Sequence, residues 1–541
     1  MRRNAAMNVS RLLRTGLGTA LLGLLAATAG CASDSTGSDG VTGDEDDLTS
    51  ITARSRTLEF VGTVYLEPPT SSQTILAAVR AQAQTAFGPM RTSEIAVNSR
   101  ELREIASSTF VKRSVKVIDP NIANDPGRDM LEVKYTYRDD AVVGVKYARR
   151  TVVPLALMNP NYRSQLDRIL KECTPGDEHA RDFLSSAWYV FEPSVPSCQT
   201  AMKAEQDQID ADRAKLEDPR NQVAKSDVDR LYLPIQAKLG ANKTNRGASY
   251  PEYDRLYKGG VQADKLVISL VYGNIDHESK GGPSGDYNWG ELMTTLQEVM
   301  AEGGELKLVP APGQPQVDLS QFTLASGKKI SDPSFTDLIG LHRGSSSLAL
   351  SYTEKQELEK QLAERVFKKW IAAERAVSVK IGNEPARDAT VQFLIYFGAD
   401  SDSTPHKFAT KNSDVFLYNG HSYIGFGPLD PRNFTANDFP KSYQILWIDG
   451  CVSYNYYEKD YIPLKDGGTK NLDLITNGVE APSWRSGHAM GQWLIKLLDG
   501  KGSSYKDLLV AAEDTEALRV VDGELDNEFS PARVPMTVTP R

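Results

Sequence analysis

The chain has 541 residues, 40% of them hydrophobic and 25% charged, with a net charge of −9. These proportions fit folded globular domains and exclude a collagen-like, wholly disordered or multi-span membrane protein, and the length allows two or three domains. The charge is spread along the chain and no Lys/Arg cluster interleaves with aromatics, so no nucleic-acid partner is expected.

At the N-terminus, Arg2, Arg3, Arg11 and Arg14 precede an apolar run from Leu17 to Ala27. That run is too short to span a bilayer but has the length of a secretory signal's hydrophobic region. Ala29-Gly30-Cys31 follows and resembles the lipobox of bacterial lipoproteins, with Thr28 where an aliphatic residue is usual. The resemblance implies a signal peptide over residues 1–31, lipidation of Cys31, and a place in the bacterial cell envelope, held to the membrane by that lipid alone. An ordinary cleaved signal is the alternative. Residues 32–55 open with a Ser/Asp/Gly-rich acidic run that has almost nothing to bury, and are read as a disordered tether.

Residues 56–198 alternate strand patterns (58–65, 131–137, 142–147) with a helical stretch near 75–87, which predicts a small α+β domain. Residues 199–260 begin with a charged stretch broken at Pro219 and are read as a helical linker. An exported protein meets oxidising conditions, so its four cysteines need accounting. Cys31 is assigned to the lipid. Cys173 and Cys198, 25 residues apart, flank a Pro/Gly-rich segment whose closure by a disulfide is worth about 3 kcal/mol in the chain-entropy model. Cys451 is left over, and a leftover cysteine in such a protein is a candidate nucleophile. A buried, inert thiol is the competing reading.

From 261 to 515 apolar runs alternate with helical patterns, as in parallel βα units covered on both faces. The first run is 265–272, followed by a helix over about 289–301 that stops at Gly303-Gly304. Another helix starts at Thr353, with Gln356 completing a capping box, and carries Leu358, Leu362, Val366 and Trp370 on one stripe. Strands are expected at 391–397, 415–418 and 443–448, and an amphipathic helix over 484–498 ending at Gly500. Residues 516–541 are read as a tail.

Two of these strands run into chemistry. Val415-Phe416-Leu417-Tyr418 leads into Asn419-Gly420-His421-Ser422, and Tyr443-Gln444-Ile445-Leu446-Trp447-Ile448 into Asp449-Gly450-Cys451. Functional groups of parallel α/β sheets gather in the loops beyond the carboxyl ends of the strands. If the strands are neighbours, His421 and Cys451 face each other, and an imidazole there can generate a thiolate nucleophile. The order of the two motifs, their apolar approaches and their 30-residue spacing resemble the peptidase clan of caspases, gingipains, legumain and separase, gingipains most of all. The resemblance implies a caspase-like α/β fold in the C-terminal domain, a peptide or protein substrate, and a Cys–His dyad. It also implies an oxyanion site from the backbone N–H groups of Cys451 and Ser422, with Gly420 and Gly450 admitting a sharp turn and close substrate approach. Two positions depart from the clan's pattern: Ser422 stands where Gly is usual, and Asp449-Gly450 where an apolar residue and Ala are common. A carboxylate beside a thiol opposes thiolate formation.

Asp276 and His277, after the first strand of the domain, fall on the same expected edge as candidate pocket residues, with Asp449 and Tyr454. The remaining histidines show no ligand spacing, and no metal or cofactor is expected. A serine hydrolase built on Ser422, Asp473 and His488 has the right chain order, but Ile424 and the Gly427-Pro428 turn disagree with a nucleophile elbow. A caspase-like lipoprotein without catalysis, acting as a binding module at the surface or in the periplasm, is the leading alternative.

Overall fold

A computed structural model describes residues 48–98, 102, 105–174, 180–275, 283–398, 402–482, 484–512 and 517–541. Cys31, most of the expected tether, Asp276 and His277 lie outside them. Of the described residues, 56–141 and 147–241 form one compact unit, and 48–55, 142–146 and 242–541 a second. The chain is mixed α/β, with parallel and antiparallel strands. No helix among the described residues is long and apolar enough to cross a membrane.

The first sheet contains β1 (Ala53–Leu66), β2 (Ile95–Val97), β3 (Val111–Ile118), β4 (Arg128–Gly144), β5 (Val152–Met158), β6 (Gln222–Ala224) and β7 (Tyr232–Leu239). Their order is β5-β7-β1-β4-β3-β6, with β2 also pairing β4. The run expected at 131–137 and the start of the one expected at 142–147 are one strand, β4, which continues through Asp139-Asp140 to Gly144, while Val145–Tyr147 form a 3-10 turn. Helix α1 (Ser72–Gln84) is N-capped by the Ser71 hydroxyl and buries Ile75 and Val79.

Of residues 199–260, read as a helical linker, 199–241 belong to this unit and 242–260 to the second. Helix α2 (Pro196–Arg213) is tied to this unit by the Cys173–Cys198 disulfide, and Glu205 on it accepts the backbone amides of Leu231 and Tyr232 at 2.9 and 2.8 Å. Its charge reflects one wet face, not independence.

The second unit adds β8 (Lys265–Tyr272), β9 (Lys307–Val309), the hairpin strands β10 (Gln321–Thr323) and β11 (Lys329–Ser331), then β12 (Ile371–Ile381), β13 (Arg387–Phe397), β14 (Val415–Asn419), β15 (Gln444–Asp449), β16 (Leu472–Asn477), β17 (Arg519–Asp522) and β18 (Met536–Pro540). Its main sheet runs β17-β16-β15-β14-β8-β13-β12-β18, with β9 also on β12. The five strands from β16 to β13 are mutually parallel, and β17 and β12 flank them antiparallel. Parallel strands buried on both faces need apolar residues throughout, which is how β8, β14 and β15 read.

Helix α3 (Tyr287–Gly303), N-capped by Asp286 and stopped at Gly304, buries Trp289, Leu292, Met293, Leu296, Val299 and Met300. Helix α4 (Tyr352–Gln361) is closed by a Ser351/Glu354 capping box, two residues earlier than the Thr353/Gln356 pair. Helix α5 (Ser403–Asn412) is capped by Asp402, helix α6 (Ser453–Tyr461) follows β15, and helix α7 (Ser486–Leu498) follows β16. The core of the unit joins these layers; Trp447 on β15 meets Trp493 on α7 edge to face at 5.5 Å.

Two boundaries shift against expectation. Leu48, Thr49 and Ser50 are buried and Thr49 pairs with Val521, so the expected tether is structured from 48 onward. The expected tail supplies β17 and β18 to the sheet.

Candidate functional site

Strands β14 and β15 are adjacent and parallel, with Tyr418 opposite Ile448 and Asn419 opposite Asp449. His421 and Cys451 each follow the last of these pairs by two residues, and so leave the sheet at the same edge. The intervening backbones touch. A side chain on Gly450 would stand 3.3 Å from the Gly420 carbonyl and 3.3 Å from Ser422 Cβ, and Gly420 N–H donates to the Asp449 carbonyl at 3.4 Å. A Cβ at 450 would fit only if these neighbours gave way by a few tenths of an ångström. Asn288, at the start of α3, donates from Nδ2 to the carbonyls of Gly273 and Asn419, fixing the ends of β8 and β14 to each other.

His421 is oriented from two sides. Its Nε2 lies 3.1 Å from the carbonyl of Ile275, just past β8, and its own carbonyl accepts the Tyr418 hydroxyl at 2.9 Å. A carbonyl can only accept, so Nε2 carries the hydrogen and Nδ1 is the nitrogen able to take a proton.

Cys451 is partly buried and outside the disulfide. It precedes Val452, which is left-handed (φ 52) and starts α6. Cys451 therefore lies two residues before Ser453, the first residue of α6. The backbone is strained on both sides of the site: Tyr423 and Ile424 also have φ of 52 and 54. β-Branched residues avoid that region, and such strain gathers at functional sites.

Ser422 is buried, and its carbonyl accepts the Tyr457 hydroxyl at 2.8 Å and Gly425 N–H at 2.8 Å. Among the described residues its own N–H meets no backbone acceptor.

Asp449 and Tyr454, expected to line a pocket, are 3% and 1% exposed and face the interior. Asp449 Oδ1 accepts from Arg519 Nη2 at 2.9 Å and from Asn477 Nδ2 at 2.7 Å. The carboxylate that opposed the thiolate on paper thus has a cation of its own. Arg519 was hidden from sequence reasoning, since 70 residues separate it from Asp449 and no local pattern marks it.

Ser422, Asp473 and His488 do not form a triad. Asp473, the second residue of β16, is at the opposite end of the sheet and is bonded to Tyr443, Tyr505 and Asn527, while His488 Nδ1 lies 2.7 Å from Glu298 on α3. Asp402 caps α5. No group of three or more His, Cys, Asp or Glu among the described residues could hold a metal ion.

A cavity of about 750 Å³ opens in the first unit, lined among others by Tyr65, Arg113, Glu132, Arg213, Asp227 and Arg230. Its charges answer one another: Arg113 pairs with Glu132 at 2.9 Å, Arg213 with Asp227 at 2.6 Å and Arg230 with Asp227 at 3.5 Å. It brings together residues from distant strands that no motif announces.

No protein-family model, curated protein or solved structure matches this chain. Its functional reading rests on the geometry at the β14/β15 edge. That geometry brings off one sheet edge a thiol just before α6, an imidazole just past the neighbouring strand, and the backbone of Ser422.

Proposed function

We propose that this chain is an exported, lipid-anchored cysteine peptidase of the caspase and gingipain type, acting on peptide or protein substrates through Cys451 and His421. The observation that carries the reading is the β14/β15 register, which sends both residues off one edge two positions beyond an aligned pair. The signal-like N-terminus and the Cys173–Cys198 disulfide support an oxidising, extracytoplasmic setting.

In the proposed cycle His421 Nδ1 takes the thiol proton and the thiolate attacks the peptide carbonyl. The oxyanion is received by the N–H groups of Ser422 and Cys451. The tetrahedral adduct collapses as His421 returns the proton to the leaving amine, and water, activated by the same imidazole, then hydrolyses the thioester.

The test pairs chemistry with labelling. Folded wild-type protein is expected to cleave members of a mixed peptide library and to react rapidly with iodoacetamide at Cys451 near neutral pH, and His421→Ala is expected to slow both. A Cys451 that labels only after denaturation, with no library member cleaved, would sink the peptidase reading and leave a binding module on the same fold.

A further inference from the structure

The end of β15 is latched by a charged network that the dyad alone does not require. Arg519, the first residue of β17, is 3% exposed, and its ion pair with Asp449 is buried on both sides. Its Nε donates to Asn477 Oδ1 at 3.0 Å and its guanidinium lies 4.6 Å above the Trp447 ring. Asn477 Nδ2 reaches Asp449 Oδ1 and, at 3.2 Å, the Gly450 carbonyl; its backbone N–H donates to Ser453 Oγ at 2.8 Å, and Ser453 Oγ donates to the Ile448 carbonyl at 2.8 Å. These bonds hold the residues on both sides of Cys451. Arg519 is itself held from the N-terminal segment, where the Ser50 hydroxyl donates to its carbonyl at 2.6 Å.

A buried carboxylate two residues from a nucleophilic thiol is a liability unless its charge is matched, because a charge in a poorly solvated interior is screened less than in water over several ångströms. Burying an ion pair is seldom a gain in stability over apolar packing, so retaining one here needs another reason.

We infer that Arg519 is a positioning residue for Cys451: it cancels the Asp449 charge so that the thiolate can form, and fixes the Gly450 carbonyl through Asn477. This rests on the proposed role of Cys451 as nucleophile. The two charges then act on the thiol with opposite sign. Arg519→Gln uncovers the carboxylate and raises the pH midpoint of Cys451 alkylation by about one unit, a tenfold slower reaction below the midpoint. Asp449→Asn uncovers the guanidinium and lowers the midpoint. The neutral pair Asp449→Asn/Arg519→Gln returns it close to wild type.

The experiment is the iodoacetamide rate against pH for the folded full-length protein and these three variants, read by mass spectrometry at Cys451. Opposite shifts in the two single variants support the inference. Shifts in the same direction, or none, overturn it, since loosened packing would affect both alike. If Arg519→Gln does not fold, Asp449→Asn against the double variant carries the same comparison, with a lower midpoint in the single variant expected and equal midpoints overturning it. A wild-type Cys451 inert in the folded state overturns the nucleophile reading, and this inference with it, whereas a reactive wild type with unshifted variants overturns Arg519's role alone.

Discussion

The two ends of the parallel sheet in the second unit manage charge in opposite ways. At the carboxyl ends of β14 and β15 the buried acid is matched to an arginine, and the tension is in the backbone, at Tyr423, Ile424 and Val452. At the amino ends the left-handed residue before β8 is Asp264, a type that tolerates that region, and the tension is electrostatic. Asp473, fully buried, is pushed up to about 7 by burial, despite the hydroxyls and amide that it accepts. Burial also raises Glu524, with Asp522 and Asp473 adding to it, and takes Asp414 up to about 6 and Lys465 down to about 7. Among the described residues no Lys or Arg pairs with Asp473 or Glu524. Perturbed titration is a common sign of an active site. Here it nominates the end of the sheet away from the βα loops, where the shifted groups are internal to the packing.

The comparison breaks most sharply at the nucleophile. Cys451→Ala is expected to lower hydrolysis of any cleaved peptide by at least ~10³-fold, and His421→Ala by a similar factor, with little change in melting temperature. Turnover that survives Cys451→Ala would move the chemistry away from this edge.

At the opposite end the expected effect is on stability. The folded-state carboxyl of Asp473 titrates at about 7 against 3.8 for the ordinary group, so the folded protein binds that proton more tightly. Its contribution is complete below about pH 4 and is lost as pH rises through about 7, on the order of a few kcal/mol. Asp473→Asn should therefore reduce the fall in urea midpoint between pH 5 and pH 8 while leaving Cys451 alkylation unchanged. The variant is read against wild type because His406, lowered to about 4 by burial, contributes a slope of the other sign. An unaltered slope would show that Asp473 is already ionised at pH 5, and would remove the electrostatic half of the contrast.

A control lies far in sequence from both ends. Breaking the disulfide with Cys173→Ser and Cys198→Ser, which frees a 25-residue loop, is expected to cost about 3 kcal/mol in denaturant and to leave Cys451 labelling untouched. A labelling rate that changes with this disulfide would mean the site depends on the first unit.

What was legible follows from burial. The strands β8, β13, β14 and β15 announce themselves because both faces are covered, and His421 and Cys451 are visible because each ends such a run. Strand β12 was hidden by helical spacing that continues past its element: Leu358, Leu362 and Val366 are all buried, yet α4 stops at Gln361, a π turn covers Leu362–Val366, and Trp370 stands just before the strand. Strand β17, four residues long, has too little length for any period, and with it Arg519 was lost. The Asp449 carboxylate looked exposed beside the thiol for the same reason, since its partner comes from a segment that reads as a tail.

The smallest expected effect tests the backbone half of the contrast. Val452 is 7% exposed and left-handed, a conformation that costs an L-residue roughly 1–2 kcal/mol and glycine almost nothing. At an ordinary buried position Val→Ala is less damaging than Val→Gly, because glycine loses the Cβ contacts as well and adds chain entropy. At 452 the order should invert: both variants lose the isopropyl group, but only Gly relieves the strain, so Val452→Gly should be more stable than Val452→Ala by about 1 kcal/mol. The relief should also loosen the start of α6 and slow alkylation of Cys451 relative to the Ala variant. If Ala proves the more stable, residue 452 is not held left-handed in solution, and the carboxyl end of the sheet carries its thiol without stored strain.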